Sequence, residues 1–282
     1  MLNVLITGCS SGFGLLTALE FARRGDKVFA TMRDTTKAGE LTGTRDAEKL
    51  PIEVLQLDVT DPASVDAAVG KVLAQGPIDV LVNNAGFELR GPVEETEDEE
   101  IRAQFETNVL GLVRVTRAVV PSMRQRRSGT IVNLSSIGGV VSVPFEGFYT
   151  GSKHAVEAIS EALHYELHPH GIRVAIVEPG GFPTNFGANI RFGKRFTQKS
   201  PYWAQYEGFQ AGLSRMIPGG GGEGGASDPG DVARAIVNAV QTDDPKLRYL
   251  VGADAQMVAM VRKQTDFEGF EKAMRQTMNW YD

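Results

Sequence analysis

A single cysteine, Cys9, stands in the whole chain. It excludes an intramolecular disulfide and suits a reducing cytoplasm. Histidine is scarce as well, with only His154, His164, His168 and His170 present. The last three crowd the polar end of one helical segment without a neighbouring cysteine. They read as surface or capping residues, so no metal site is expected. No apolar run approaches the roughly 20 residues that cross a bilayer. Met1 leads within a few residues into a strand, which leaves no room for a secretion signal. Lys and Arg nowhere form a block and the net charge is −6, so a nucleic-acid partner is not expected. Internal repeats and interdomain linkers are also missing. What is present is an ordinary soluble globular composition, 42% hydrophobic and 23% charged over 282 residues. That length accommodates one large α/β domain spanning residues 1–282.

Leu2 to Thr7 is a short apolar run, fit for a strand buried on both faces. It stops at Thr7-Gly8-Cys9-Ser10-Ser11-Gly12-Phe13-Gly14. A helical pattern follows through Leu15, Leu16, Ala18, Leu19 and Phe21, ending near Gly25. Strand, glycine turn and helix in that order form the setting of a dinucleotide site. Glycines let the backbone turn sharply and approach a pyrophosphate, and the N–H groups of the helix N-terminus hold the anion. Further strands are expected at Lys27–Met32, Ile52–Leu57, Ile78–Val82, Thr130–Leu134, Ile172–Val177 and Arg248–Val251, alternating with helical patterns. Such alternation predicts a seven-stranded parallel sheet, doubly wound, with helices on both faces and its site at the carboxyl ends of the strands. Asp61 is positioned to cap a helix from Pro62 to Gln75. In the acidic run Glu94–Glu100, Thr96 and Glu99 read as a capping box and not as a binding feature.

Tyr149-Thr150-Gly151-Ser152-Lys153 carries a phenol and an ammonium four positions apart at the start of another helical pattern. Positions i and i+4 share one helix face, so the two point into the same space. A free phenol has a pKa of about 10, and a neighbouring cation favours its ionised form. The pair is a way to build a proton donor for a carbonyl or an acceptor for an alcohol.

Thr-Gly-x-x-x-Gly-x-Gly together with Tyr-x-x-x-Lys resembles the classical short-chain dehydrogenase/reductase family. Asn83-Asn84-Ala85-Gly86 and Pro179-Gly180-Gly181-Phe182-Pro183-Thr184 fall in the family's order, so the resemblance covers essentially the whole chain. The pattern is closest to the 17β-hydroxysteroid and retinol dehydrogenase branch. The resemblance implies a Rossmann-type fold and a catalytic set of Asn108, Ser136, Tyr149 and Lys153, with Ser136 thirteen positions before the tyrosine. It assigns Gly8, Ser10, Ser11, Gly12, Phe13, Gly14, Arg33, Asp58, Val59, Asn84, Ala85, Gly86, Pro179, Gly180, Phe182 and Thr184 to the cofactor, joined by Tyr149 and Lys153. Asp58 would meet the adenine and Asn83 would act structurally. Asn108 would perturb its helix and order a water near Lys153.

Met32 fills the position where an acid would hold the ribose 2′-OH of NAD, and Arg33 follows it. A guanidinium there pairs with a 2′-phosphate through two hydrogen bonds, so NADP(H) is expected. The other possibility is that Asp34 takes the ribose, giving NAD. The implied activity is hydride exchange between NADP(H) and a secondary alcohol or ketone, in a homodimer or homotetramer. Other functions consistent with the cofactor site are a non-catalytic dinucleotide-binding regulator and an epimerase or dehydratase.

Residues 185–226 interrupt the strand–helix alternation, carry seven aromatics including Phe192, Phe196, Trp203, Tyr206 and Phe209, and end in a flexible glycine tract. In the family this insertion after the sixth strand forms a substrate lid. Its aromatics suit a bulky, mostly apolar substrate, or else pack the lid on the core or a partner subunit. Residues 254–282 read as one amphipathic helical segment with a stripe of Met and Phe.

Overall fold

The fold is seen in a computed structural model that describes residues 1–182, 190–216 and 228–280, without the side chains of residues 215 and 216. Its centre is a parallel sheet of seven strands in the order β3-β2-β1-β4-β6-β7-β9. These strands are β1 Asn3–Ile6, β2 Lys27–Met32, β3 Ile52–Gln56, β4 Val80–Asn83, β6 Gly129–Leu134, β7 Ile172–Pro179 and β9 Arg248–Val251. All seven positions expected from the sequence are occupied by strands, with ends shifted by a residue or two. Strands buried on both faces need no polar alternation, and β1 shows the consequence. Val4 and Ile6 point into one core layer while Leu5, between them, points into the other.

The first layer is closed by α1 Gly12–Arg23 packed on α8 Gly230–Gln241. Leu15, Phe21, Val232 and Ile236 meet Val4, Val132 and Val177 of the sheet there. The second layer is closed by α3 Pro62–Leu73, α5 Leu112–Arg126 and α6 Gly147–Leu167, whose Val65, Val115 and Leu167 join Phe29, Ile131 and Val174. A short α2, Gly39–Glu48, follows β2 and ends at Lys49 in the left-handed conformation. Strand order reverses between β1 and β4, and the crevice above that switch is where such sheets bind ligands.

Four details differ from expectation. The Asp61 side chain does accept from the Ala63 N–H at 2.9 Å, but α3 stops at Leu73. The capping box of α4 Asp98–Phe105 is built from Glu97 and Glu100, one residue later than Thr96 and Glu99. Thr96 instead donates its hydroxyl to the Pro92 carbonyl at 2.8 Å. A second, two-stranded sheet pairs β5 Glu88–Arg90 with β8 Ile190–Phe192, so part of the insertion after the sixth strand is ordered against the segment following Asn83–Gly86. The C-terminal segment is two helices, α9 Ala253–Gln264 and α10 Phe267–Met278, because Asp266 caps a new helix by accepting from the Gly269 N–H at 2.8 Å.

Candidate active site

The turn after β1 is shaped by what cannot fit beside it. Gly8 and Gly12 have φ of +75° and +59°. At Gly14, the first turn of α1 comes so close to the preceding loop that an added Cβ would lie 2.3 Å from the Gly8 carbonyl oxygen. The loop is tied down from β4. The Asn84 side-chain amide donates to the Thr7 and Gly8 carbonyls at 2.8 and 2.9 Å. The Thr7 hydroxyl accepts from the Asn84 and Ala85 N–H groups, both at 3.0 Å. Asn83 is buried and donates to Thr116 and Asn133 at 3.0 and 2.9 Å, holding β4 to α5 and β6 as its structural role requires.

A cavity of about 540 Å³ runs over these strand ends. Gly8, Ser10, Ser11, Gly12 and Phe13 line its first part, with Arg33 beyond β2 and Asp58 and Val59 beyond β3. Asn84, Ala85, Gly86, Pro179, Gly180 and Phe182 line the middle. Gly14 stands behind the loop, and Thr184 lies outside the described residues. Asp58 spends one carboxylate oxygen on the Thr60 N–H and hydroxyl at 2.9 and 2.8 Å. Asp34 turns away to the Thr36 N–H at 3.0 Å and to the Thr36 hydroxyl, while Arg33 faces the cavity. A bare glycine cradle, free N–H groups at a helix start and a continuous groove to the β2 end fit a dinucleotide.

At the far end of that groove Ser136, Tyr149 and Lys153 face the same cavity. Ser136 ends the run from β6 and its hydroxyl accepts from the Gly138 N–H at 3.0 Å, which orients it. It lies near enough to the Tyr149 hydroxyl to favour the ionised phenol. Ser135, on the opposite side of the strand end, is buried near Glu157, and its hydroxyl makes no hydrogen bond. Lys153 is 7% exposed and donates to the Leu134 carbonyl at 2.8 Å, with its nitrogen 5.8 Å from the Tyr149 ring centre. Burial pushes the Lys153 ammonium down to about 8, against the pull of the Glu157 charge. The Tyr149 phenol is raised above its ordinary value, first by burial and then by the charge of Glu88, with the Ser136 hydroxyl opposing. The phenol is thus shifted in the direction opposite to the acidification expected from Lys153.

Asn108 sits in a π-helical turn, Glu106–Gly111, between α4 and α5, so the helix is locally perturbed there as expected. Its amide clasps the Phe87 backbone, accepting at 3.1 Å and donating at 3.0 Å, and donates to the Ser152 hydroxyl at 3.2 Å. It stands one layer behind Lys153 and outside the cavity lining. His164 and His168, four apart, bring their rings to 5.8 Å, but among the described residues no three metal-binding side chains gather.

Sequence reasoning passed over the charged residues around this end. Glu88 and Arg90 of β5 and Glu146, at the N-terminus of α6, also line the cavity. Glu and Arg at i and i+2 of one short strand were the available signal, since they share a face. Behind Lys153, Glu157 and Glu178 share Arg248 at 3.2 and 3.3 Å. Burial, then the charge of Glu88, raises Glu146 to about 8; burial, then the charge of Glu157, raises Glu178 to about 7. Their ordinary value is 4.5. Over that window the folded chain holds protons that the unfolded chain has released, so folding stability falls as pH rises, by up to about 1.4 kcal/mol per pH unit per group. Lys153 has the opposite sign above about 8. Urea unfolding between pH 5 and 9 is expected to show a minimum near pH 8, and Glu146→Gln to flatten the descent into it.

Fold and cavity together define a dinucleotide-binding oxidoreductase. Residues 2–194 match the family model described as short chain dehydrogenase, and the chain belongs to that family. It is 38% identical to 3-ketodihydrosphingosine reductase of Bacteroides thetaiotaomicron, over 90% of this chain and 89% of that one. It is 35% identical to human 17-beta-hydroxysteroid dehydrogenase type 1, over 87% of this chain and 76% of that one. Among solved structures it is similar to a short-chain dehydrogenase from Streptomyces avermitilis, with TM-score 0.79 and 38% identity over 98% of both chains. Actinorhodin polyketide ketoreductase with NADPH matches at TM-score 0.76 and 29% identity, covering 89% of this chain and 95% of that one. A Burkholderia phymatum enzyme in complex with NAD matches at TM-score 0.78 and 25% identity over 93% of both chains. A nicotinamide dinucleotide is thus the cofactor class. No helix among the described residues is long and apolar enough to cross a membrane.

Proposed function

We propose that this chain is an NADP(H)-dependent oxidoreductase that interconverts a ketone and a secondary alcohol on a bulky, largely apolar substrate, as a cytoplasmic homodimer or homotetramer. The observation that carries the reading is the convergence of Ser136, Tyr149 and Lys153 on one end of the groove that starts at the glycine cradle. When bound, NADPH supplies the hydride for the carbonyl carbon. Ser136 holds the carbonyl oxygen, and Tyr149 protonates it as negative charge develops there. A phenol held neutral at rest is matched to giving up its proton only when that charge appears. Lys153 steadies the cofactor ribose and the tyrosine, and the Asn108 turn sets the helix that carries them. Two relatives whose names denote a ketone reductase and a hydroxysteroid dehydrogenase support the reaction class. Phe209, Leu213, Val258 and Met274 on the cavity wall support an apolar substrate body.

The NADP preference rests on Arg33 facing the cavity while the Asp34 carboxylate is taken by Thr36. Fluorescence titration is expected to give NADPH a dissociation constant at least about tenfold below that of NADH. Arg33→Ala should lose about ten- to a hundredfold in NADPH affinity, the value of a charge-assisted hydrogen bond, with little change for NADH. Equal or tighter binding of NADH would refute the preference and assign the ribose to Asp34.

A further inference from the structure

Asp254, in the first turn of α9, lines the cavity. Its carboxylate accepts from the Gly181 N–H at 2.6 Å, across seventy-three residues of chain. Gly180, the preceding residue, donates its own N–H to the Val251 carbonyl at 2.9 Å. Phe182, the following one, meets the Phe13 ring of the glycine turn edge-on at 5.8 Å. The fold makes room for the carboxylate twice. A Cβ on Gly180 would lie 2.2 and 2.4 Å from its two oxygens, and one on Gly252 would lie 2.6 Å from Oδ1. An acid in the first turn suits the helix dipole wherever it occurs. That role asks for neither glycine and for no bond to another segment.

A peptide between two glycines is the easiest kind to turn over, because neither neighbour carries a Cβ. The Asp254 bond fixes the N–H of the Gly180–Gly181 peptide, and in a planar trans unit the Gly180 carbonyl then points the opposite way. Both glycines stand on the cavity wall, which Phe209 and Leu213 of α7, Trp203–Met216, and Met257 of α9 also build. A dinucleotide with its pyrophosphate on the glycine cradle and its adenosine toward Arg33 sends its nicotinamide half along the part formed by residues 179–182. We propose that Asp254 is a positioning residue for the cofactor: it locks the Gly180–Gly181 peptide in the orientation that receives the nicotinamide half. A wall ordered beforehand spares binding the cost of ordering it. The inference stands on the nicotinamide cofactor class alone, so it and the ketone reading fail separately.

Calorimetric titration with two ligand pairs tests this, NADPH against 2′-phospho-ADP-ribose and NADH against ADP-ribose. Within each pair only one member carries the nicotinamide ring. In Asp254→Ala the dinucleotides should bind at least about tenfold more weakly, the value of one charge-assisted hydrogen bond, while the ring-free fragments stay within about twofold of wild type. Asp254→Asn keeps an oxygen for the Gly181 N–H and should recover part of the loss. Gly180→Ala reaches the same bond from the other side, because its methyl displaces the carboxylate, and should repeat the selective loss. The two alanine changes together should cost little more than either alone, since both break one contact. Equal weakening of dinucleotide and fragment, unchanged dinucleotide affinity, no recovery with Asn, or additive losses in the double variant would overturn the assignment.

Discussion

Tyr149→Phe is expected to lose ketone reduction by at least on the order of 10²–10³ while NADPH affinity stays within about twofold. The expectation follows from where the hydroxyl is. It is buried, near the Ser136 hydroxyl and on the cavity wall, and it supports no strand or helix cap. Removing one oxygen leaves the ring packed in α6 and the Lys153 bond to Leu134 intact. Only the proton donor is lost. Single-turnover NADPH oxidation, with cofactor affinity measured by fluorescence on the same preparation, separates the two effects. Intact turnover in this variant would remove Tyr149 from the chemistry.

Gly14→Ala should fail for the opposite reason, through backbone and not through chemistry. The new methyl would lie 2.3 Å from the Gly8 carbonyl oxygen and 2.4 Å from the Asn84 amide nitrogen. Neither is the free end of a flexible chain, because Asn84 is held by the Thr7 and Gly8 carbonyls. The loop must move, and the cradle moves with it. Overpacking of this kind costs about 1–3 kcal/mol, which for a chain of this size lowers Tm by on the order of 5 °C. Cofactor affinity should fall by more than about tenfold as well. Gly43→Ala is the control: nothing lies within 4 Å of its added methyl and the site is mid-helix in α2, so Tm should hold or rise. Equal behaviour of the two variants in thermal unfolding and NADPH titration would contradict the close-approach argument.

The parallel sheet and the cofactor turn were readable from the sequence because their causes are local. Val4, Leu5 and Ile6 are apolar together since both faces of β1 are covered, and the glycines at 8, 12 and 14 mark backbone that no side chain could share. Tyr149 and Lys153 were readable for the same reason, as helix spacing alone puts them on one face. Their electrostatics were not. The Tyr149 phenol is raised first by burial in the assembled fold and then by the charge of Glu88, which arrives from β5, sixty-one residues earlier. Glu146 reads as an ordinary residue before a helix until Arg90 is placed beside it.

The lid aromatics show the same limit. Phe145, with φ of +66°, stacks on Phe196 at 5.8 Å and meets Tyr206, Phe209 and Trp280, so the sequence choice between packing and lining resolves residue by residue. Phe196 and Tyr206 pack in this cluster, while Phe209 belongs to it and also lines the cavity. The break between α9 and α10 was missed because the Met and Phe stripe continues across it, although Asp266 is a cap.

The most direct measurement follows the hydride itself. NADPH deuterated at its transferable position, incubated with wild-type protein and a panel of aliphatic, aromatic, steroidal and amino ketones, should leave one deuterium on the carbinol carbon of the product by mass spectrometry, and none with Tyr149→Phe. NADPH held tightly at this site with no label reaching any carbonyl carbon would mean that the groove binds a dinucleotide for some purpose other than reduction.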